Sequence, residues 1–294
     1  MMEEFKTKLE QRLDAHLSKA LAIQPFSEGN LAPNLLVEGE TGTGKTEIIT
    51  KWAKENGVNL FSINMAVFVE ATQKKVNMLY GGEECICVLS KPKTVLFLDN
   101  YDLGTEKSRS FFSSLVERHV LPTANGEVFL PNILFAIATA WPIPELHTLV
   151  ESPLTDAEKA KFERYTVECD KEEHLHYLTE FYNNHIASAM EKGDEESIKE
   201  YKGKIALANC ILKDKRFVYT SLESRKENLE KAKNMGKKTD LKCGMTIYAT
   251  FNQVLSWSNG SKKSFLKEWD SSFVEQAQKP IVEEILRDYK DDAG

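Results

Sequence analysis

The sequence predicts an α/β fold: a three-layer sandwich with a parallel five-stranded sheet, followed by a small all-α domain. Three observations carry this. Up to about residue 168, short apolar runs alternate with helical periodicities, the pattern of a parallel sheet covered on both faces. A glycine-rich turn, Gly39-Glu40-Thr41-Gly42-Thr43-Gly44, joins the first apolar run to the helix after it. Beyond residue 170 the strand signals stop and helical ones continue.

The elements follow in order. Residues 5–22 space Phe5, Leu9, Leu13, Leu17 and Leu21 four apart, an amphipathic helix ahead of the sheet. Residues 34–38 form strand one, and 45–56 a helix that Gly57 stops. Strand two is 60–64. Residues 66–90 read as helix and loop around Gly81-Gly82. Strand three, 94–99, is apolar until its final carboxylate. A helix over 111–119, strand four over 132–139 and strand five over 165–168 complete the sheet. Helical signals then fall at 172–184, 195–212, 220–235, 246–257 and 264–290. The expected boundaries are 1–168 for the α/β domain, 169–260 for a helical lid and 261–294 for a C-terminal helical extension.

Composition narrows the function classes. The chain has 294 residues, 41% hydrophobic and 28% charged, enough for a packed core. Its five cysteines, Cys85, Cys87, Cys169, Cys210 and Cys243, are odd in number and make no C-x-x-C pair. That argues against a disulfide framework or a zinc site, and Cys85-Ile86-Cys87 reads as two buried thiols. No run reaches the length of a membrane span, and Met1 to Lys6 lack a secretory signal, so a cytoplasmic protein is expected. A net charge of −7 disfavours nucleic acid as a general partner. A local DNA contact through a few lysines stays open.

The turn is a complete G-x-x-x-x-G-K-[ST] loop, Gly39 to Thr46, in its proper strand–loop–helix context. Glycines let backbone N–H groups wrap a polyanion, and the helix start adds the positive end of its dipole. Lys45 should reach the β- and γ-phosphates and the Thr46 hydroxyl should sit on Mg²⁺. Gly39, Glu40, Thr41, Gly42, Thr43, Gly44, Lys45 and Thr46 are therefore the candidate nucleotide-binding residues. Asp99 ends strand three, where parallel strands deliver their C-terminal ends to a ligand crevice, and is the second candidate ligand of Mg²⁺.

These motifs resemble those of the AAA+ ATPases, and within them the MoxR-like, dynein-related branch, over roughly residues 10–260. The most specific stretch is Phe111 to Pro142, FFSSLVERHVLPTANGEVFLPNILFAIATAWP. It resembles the family's helix ending in Glu-Arg, a small hairpin, "LPN" and a sensor strand ending near "ATxNP". Thr220 to Arg225, TSLESR, resembles the "TSxR" that opens a lid helix. The resemblance implies ATP with Mg²⁺ at Lys45, Thr46 and Asp99, and Arg225 as the arginine that touches the γ-phosphate from its own subunit. It also implies a homo-oligomeric ring, usually a hexamer, a protein partner of unknown identity, and a cation entering from the neighbouring subunit. Arg118, Lys161 and Arg164 are the candidates for that cation. Lys161 stands where many relatives carry arginine, which keeps the charge and loses bidentate geometry.

Two positions depart from the family pattern. The glutamate that usually follows the Mg²⁺-linked aspartate, and polarises the attacking water, is Asn100. An amide cannot take the water's proton. Asp102 could substitute if the turn carries it inward. The first-sensor position is Trp141, with the Thr139 hydroxyl two residues earlier. Two functions of different class follow: an ATP-hydrolysing ring motor or remodelling chaperone, and an ATP-binding scaffold or switch with slow turnover. A DNA-associated helicase loader is a third.

Other residues carry less. His174 and His176 lie about 200° apart on a helix and cannot share one metal. Trp257, Trp269, Phe251, Leu255, Phe265 and Phe273 read as helical-domain core or a subunit contact, and Phe68 as a buried loop anchor.

Overall fold

A computed structural model describes residues 7–23, 26, 30–39, 43–68, 87–123, 126–144, 152–167, 170–218, 247–271 and 279–289. The chain divides into two compact units. One comprises Met1–Glu40 with Gly44–Val167, the other Thr41–Thr43 with Glu168–Gly294.

The first unit is built on a five-stranded parallel sheet. Its strands are β1 (Asn34–Glu38), β2 (Asn59–Asn64), β3 (Thr94–Asp99), β6 (Ile133–Ala140) and β7 (Phe162–Thr166), in the order β2-β3-β6-β1-β7. Between β3 and β6 an antiparallel hairpin is made of β4 (Val120–Thr123) and β5 (Gly126–Phe129). The helices are α1 (Lys8–Ile23), α2 (Lys45–Glu55), α3 (Glu106–Arg118) and the single turn α4 (Asp156–Lys159).

Strand alternation sorts the buried residues into two cores, one on each face of the sheet. Leu35, Val37, Val95, Phe97, Phe135 and Ile137 join Leu9 and Leu13 of α1 and Ile49 and Trp52 of α2. Leu36, Leu96, Leu98, Ala136 and Ala138 join Phe111, Phe112, Leu115 and Val116 of α3. This is the expected three-layer arrangement. All five residues of β1 are buried, as a central strand requires.

Several boundaries differ from expectation. The fifth strand starts at Phe162, not at residue 165. It pairs with β1 alone, so its Glu163 and Arg164 tolerate an edge position and hide the strand signal. α3 begins five residues before the apolar run, where the Thr105 hydroxyl accepts the Ser108 N–H. Cys87 is exposed and not buried. Most of residues 66–90, and all of 220–235, lie outside the described residues, as do Phe273 and Cys85.

The second unit is helical: α5 (Lys171–Lys192), α6 (Glu195–Lys213), α7 (Ile247–Trp257), α8 (Lys262–Ser271) and α9 (Lys279–Asp288). The predicted signal over 264–290 thus covers parts of two described helices. Asp170 caps α5 and Asp194 caps α6, with Gly193 in the left-handed region closing α5. One core gathers Leu178, Tyr182, Leu207, Ile211, Phe217, Phe251, Leu255, Phe265, Trp269, Val282 and Leu286. Trp257 stays 58% exposed. A close approach pins α6 to the turn before α8. A Cβ on Gly203 would fall 2.4 Å from the Gly260 carbonyl oxygen, and one on Gly260 2.3 Å from that of Glu200. His174 is buried against Asn252, its Nε2 2.6 Å from the amide oxygen, while His176 lies at the surface near Glu180.

Candidate functional site

The C-terminal ends of β1, β3 and β6 lie side by side in the sheet, and Gly39, Asp99 and Thr139 stand there. β1 runs into Gly39. Gly44, with φ of 73°, turns the chain into α2, a conformation that glycine adopts without strain. α2 then begins at Lys45 and Thr46. The Lys45 ammonium donates to the Gly39 carbonyl at 2.5 Å, so it lies folded back over the start of the loop. Glu40, Thr41 and Gly42 lie outside the described residues.

Thr46 and Asp99 come together. The Thr46 hydroxyl is 3.1 Å from each carboxylate oxygen of Asp99. Thr139, at the end of β6, donates its hydroxyl to Asp99 Oδ1 at 2.7 Å and accepts the Asn100 N–H at 2.8 Å. Thr139 is buried, so these contacts also satisfy its polar atom. Hydroxyl plus carboxylate is an all-oxygen donor set of the kind a hard cation such as Mg²⁺ takes. Among the described residues no group of three or more His, Cys, Asp and Glu side chains is placed to hold a metal.

Asn100 adopts the left-handed conformation, φ 54° and ψ 50°, and its side-chain amide donates to Asn64 Oδ1 at 3.4 Å. Asn64 ends β2, so two amides line the crevice beside Asp99. The turn that follows carries Asp102 inward. Its carboxylate is 2% exposed, and Oδ2 accepts the Trp141 N–H at 2.9 Å. Burial raises its carboxyl to about 6, against the lowering pull of the Trp141 N–H and of Lys45 and Arg109.

The three candidate trans-acting cations each have a partner within the chain. Arg118 reaches Glu127 of the hairpin at 3.0 Å, with both side chains about half exposed. Lys161 pairs with Glu117 and donates to the Ser113 hydroxyl at 2.7 Å. Arg164 forks onto Glu38, with contacts of 2.7 to 3.0 Å. Arg225 lies outside the described residues.

Glu38 and Arg109 were not singled out from the sequence. Glu38 is 3% exposed at the end of a strand otherwise apolar but for Asn34, and that isolated acid was its signal. Buried Arg109 donates to Glu158 at 2.6 Å and to the carbonyls of Gly104 and Ser152. It ties the turn after β3 to the segment that leads into β7. Nothing in its local sequence marks it, because its partners lie far along the chain.

Residues 35–150 match the family model described as AAA, the ATPase family associated with various cellular activities. The matched stretch is less than half of the chain and contains the glycine-rich loop, Asp99 and Thr139. It supports an AAA-type, nucleotide-binding ATPase domain in this segment. No curated protein matches the chain. No helix among the described residues is long and apolar enough to cross a membrane.

Proposed function

We propose that this chain binds ATP with Mg²⁺ at the ends of β1, β3 and β6 and hydrolyses it, as a ring-forming AAA+ remodelling motor of MoxR-like type. The observation that carries the reading is the joined set of Thr46, Asp99 and Thr139, beside a Lys45 whose ammonium lies over the start of the glycine-rich loop. The backbone N–H groups of the glycine-rich loop, residues 39 to 44, receive the phosphates. Lys45 exchanges the Gly39 carbonyl for phosphate oxygens, which an ammonium with three donors does without rearrangement of α2. Thr46 and Asp99 would hold Mg²⁺, which when bound neutralises phosphate charge. Thr139 orients the Asp99 carboxylate toward that role. Arg225 would contact the γ-phosphate within the subunit.

Among the candidate trans-acting cations, Arg118 is the best placed to leave its present partner. Its pair with Glu127 is exposed at both ends, and such pairs contribute about 0–1 kcal/mol. Arg164 sits on a buried carboxylate and would leave Glu38 unpaired and desolvated. A closed homo-oligomeric ring, a hexamer by family resemblance, would satisfy the head-to-tail contact that such a cation needs. An unidentified protein partner would supply the substrate, in a cytoplasmic setting.

A second reading, an ATP-loaded scaffold or switch with slow turnover, is favoured by one observation. Asn100 occupies the water-polarising position and its amide is turned to Asn64. An amide cannot accept the water's proton, and Asp102, though turned inward, is almost wholly buried and accepts the Trp141 N–H. Equilibrium dialysis with labelled ATP and Mg²⁺, beside a phosphate-release assay, separates the possibilities. Uptake that Lys45→Ala abolishes supports nucleotide binding. Release above that variant's rate supports the motor, and release equal to it leaves the switch. Wild-type protein that takes up no nucleotide removes both.

A further inference from the structure

Three consecutive residues at the end of β6 each hold a different part of the site. The Thr139 side chain binds Asp99 and the Asn100 N–H. The Ala140 carbonyl accepts the N–H of Gly39, where the glycine-rich loop starts, at 3.0 Å. The Trp141 N–H donates to Asp102. The strand end therefore joins the phosphate loop, the Asp99 carboxylate and the turn after β3. Asp102 is the side chain that fixes its far end.

As a structural anchor Asp102 is an expensive choice. Its carboxylate is almost wholly buried, and Oδ1 has no hydrogen-bond partner among the described residues. Groups held at such a cost collect where function needs their geometry.

We propose that Asp102 is a positioning residue of the ATP site. By holding the Trp141 N–H it keeps the end of β6 in place, so that Thr139 sets Asp99 where, with Thr46, it takes the cation of Mg-ATP. The inference rests on the ATP-binding reading above. Groups that orient a metal's ligands are worth roughly 10- to 100-fold in metal affinity, and the same range is expected here. Asn at this position keeps a carbonyl acceptor for Trp141, whereas Ala keeps none.

The test measures ATP affinity by equilibrium dialysis, in Mg²⁺ and in EDTA, for the wild type, D102A and D102N. The wild type gains affinity from Mg²⁺. D102A is expected to lose about 10- to 100-fold of that gain while its affinity in EDTA stays within about threefold. D102N is expected to keep the gain within about threefold. Should D102A fail to fold, D102E takes its place, because an added methylene moves the acceptor and the same loss is expected. A Mg²⁺ gain unchanged in D102A or D102E overturns the proposal. So does equal loss in Mg²⁺ and EDTA, which marks general damage, and so does D102N failing as badly as D102A. Wild-type protein that binds no nucleotide removes the ATP reading and this inference with it, whereas normal wild-type binding with a silent D102A removes the inference alone.

Discussion

Asp102→Asn should stabilise the protein at alkaline pH, and by less as the pH falls. Burial raises the carboxyl from its ordinary 3.8 to about 6. The folded state then binds a proton more tightly than the unfolded chain does. The stability this adds is fully present below about 3.8 and is lost as pH rises through about 6. At about 1.4 kcal/mol per tenfold change, the whole span is worth about 3 kcal/mol. Between pH 8 and pH 5 roughly half is recovered, about 1.4 kcal/mol, because protonation of the folded state is then nearly complete while the span down to 3.8 is only partly crossed. Asparagine is neutral throughout and stands in for the protonated acid. The advantage of D102N over wild type in urea unfolding should therefore shrink by about 1.4 kcal/mol from pH 8 to pH 5. Lys45 and Arg109 are the cations that act on this carboxylate, and both lower its affinity for the proton. Burial lowers His119 and His174 to about 4, which pulls wild-type stability the other way, but both are common to the two proteins and cancel in the difference. An advantage equal at both pH values within about 0.5 kcal/mol would refute the reasoning, since a buried carboxylate with a raised affinity for protons cannot give a flat difference.

Other outcomes are expected. Lys45→Ala should abolish ATP uptake in dialysis while far-UV circular dichroism stays unchanged, because the ammonium lies at the loop, donating to the Gly39 carbonyl, and alanine is a good helix former at the start of α2. Asn100→Glu should raise phosphate release by at least about 100-fold if a missing proton acceptor limits turnover, and an unchanged rate would place the limit elsewhere. Gly203→Ala should lower stability by at least about 2 kcal/mol in thermal unfolding, since its methyl meets the Gly260 backbone and no flexible side chain. His174→Phe should blunt the loss of stability between about pH 6.5 and pH 4. There the unfolded imidazole protonates and the buried one does not, so wild-type stability falls as pH falls through that window.

The phosphate loop and Asp99 were legible because their signals are local. A glycine pattern between a strand and a helix, and one acid ending an apolar run, survive without knowledge of the fold. Asn100 was legible as a departure for the same reason. Arg109 and Glu38 were not, since each acquires meaning from a residue far away in the chain. The edge strand was read late for a related cause: its Glu163 meets Arg12 of α1, so a polar residue that reads as loop is paired in space. Residue type suggests core or a subunit contact for Trp257, and its exposure at the end of α7 rules out the core alternative alone.

Residue spacing by itself determined the layered α/β class, the helical character of the second half and the place of the glycine-rich loop, because periodicity and glycine torsions act within a few residues. Tertiary structure decided which side chains share the crevice. Strand order brings Thr139 to Asp99, and the turn after β3 swings Asp102 beneath Trp141. Neither adjacency exists until the sheet has formed, since hydrogen bonds between distant segments depend on topology rather than on neighbouring sequence.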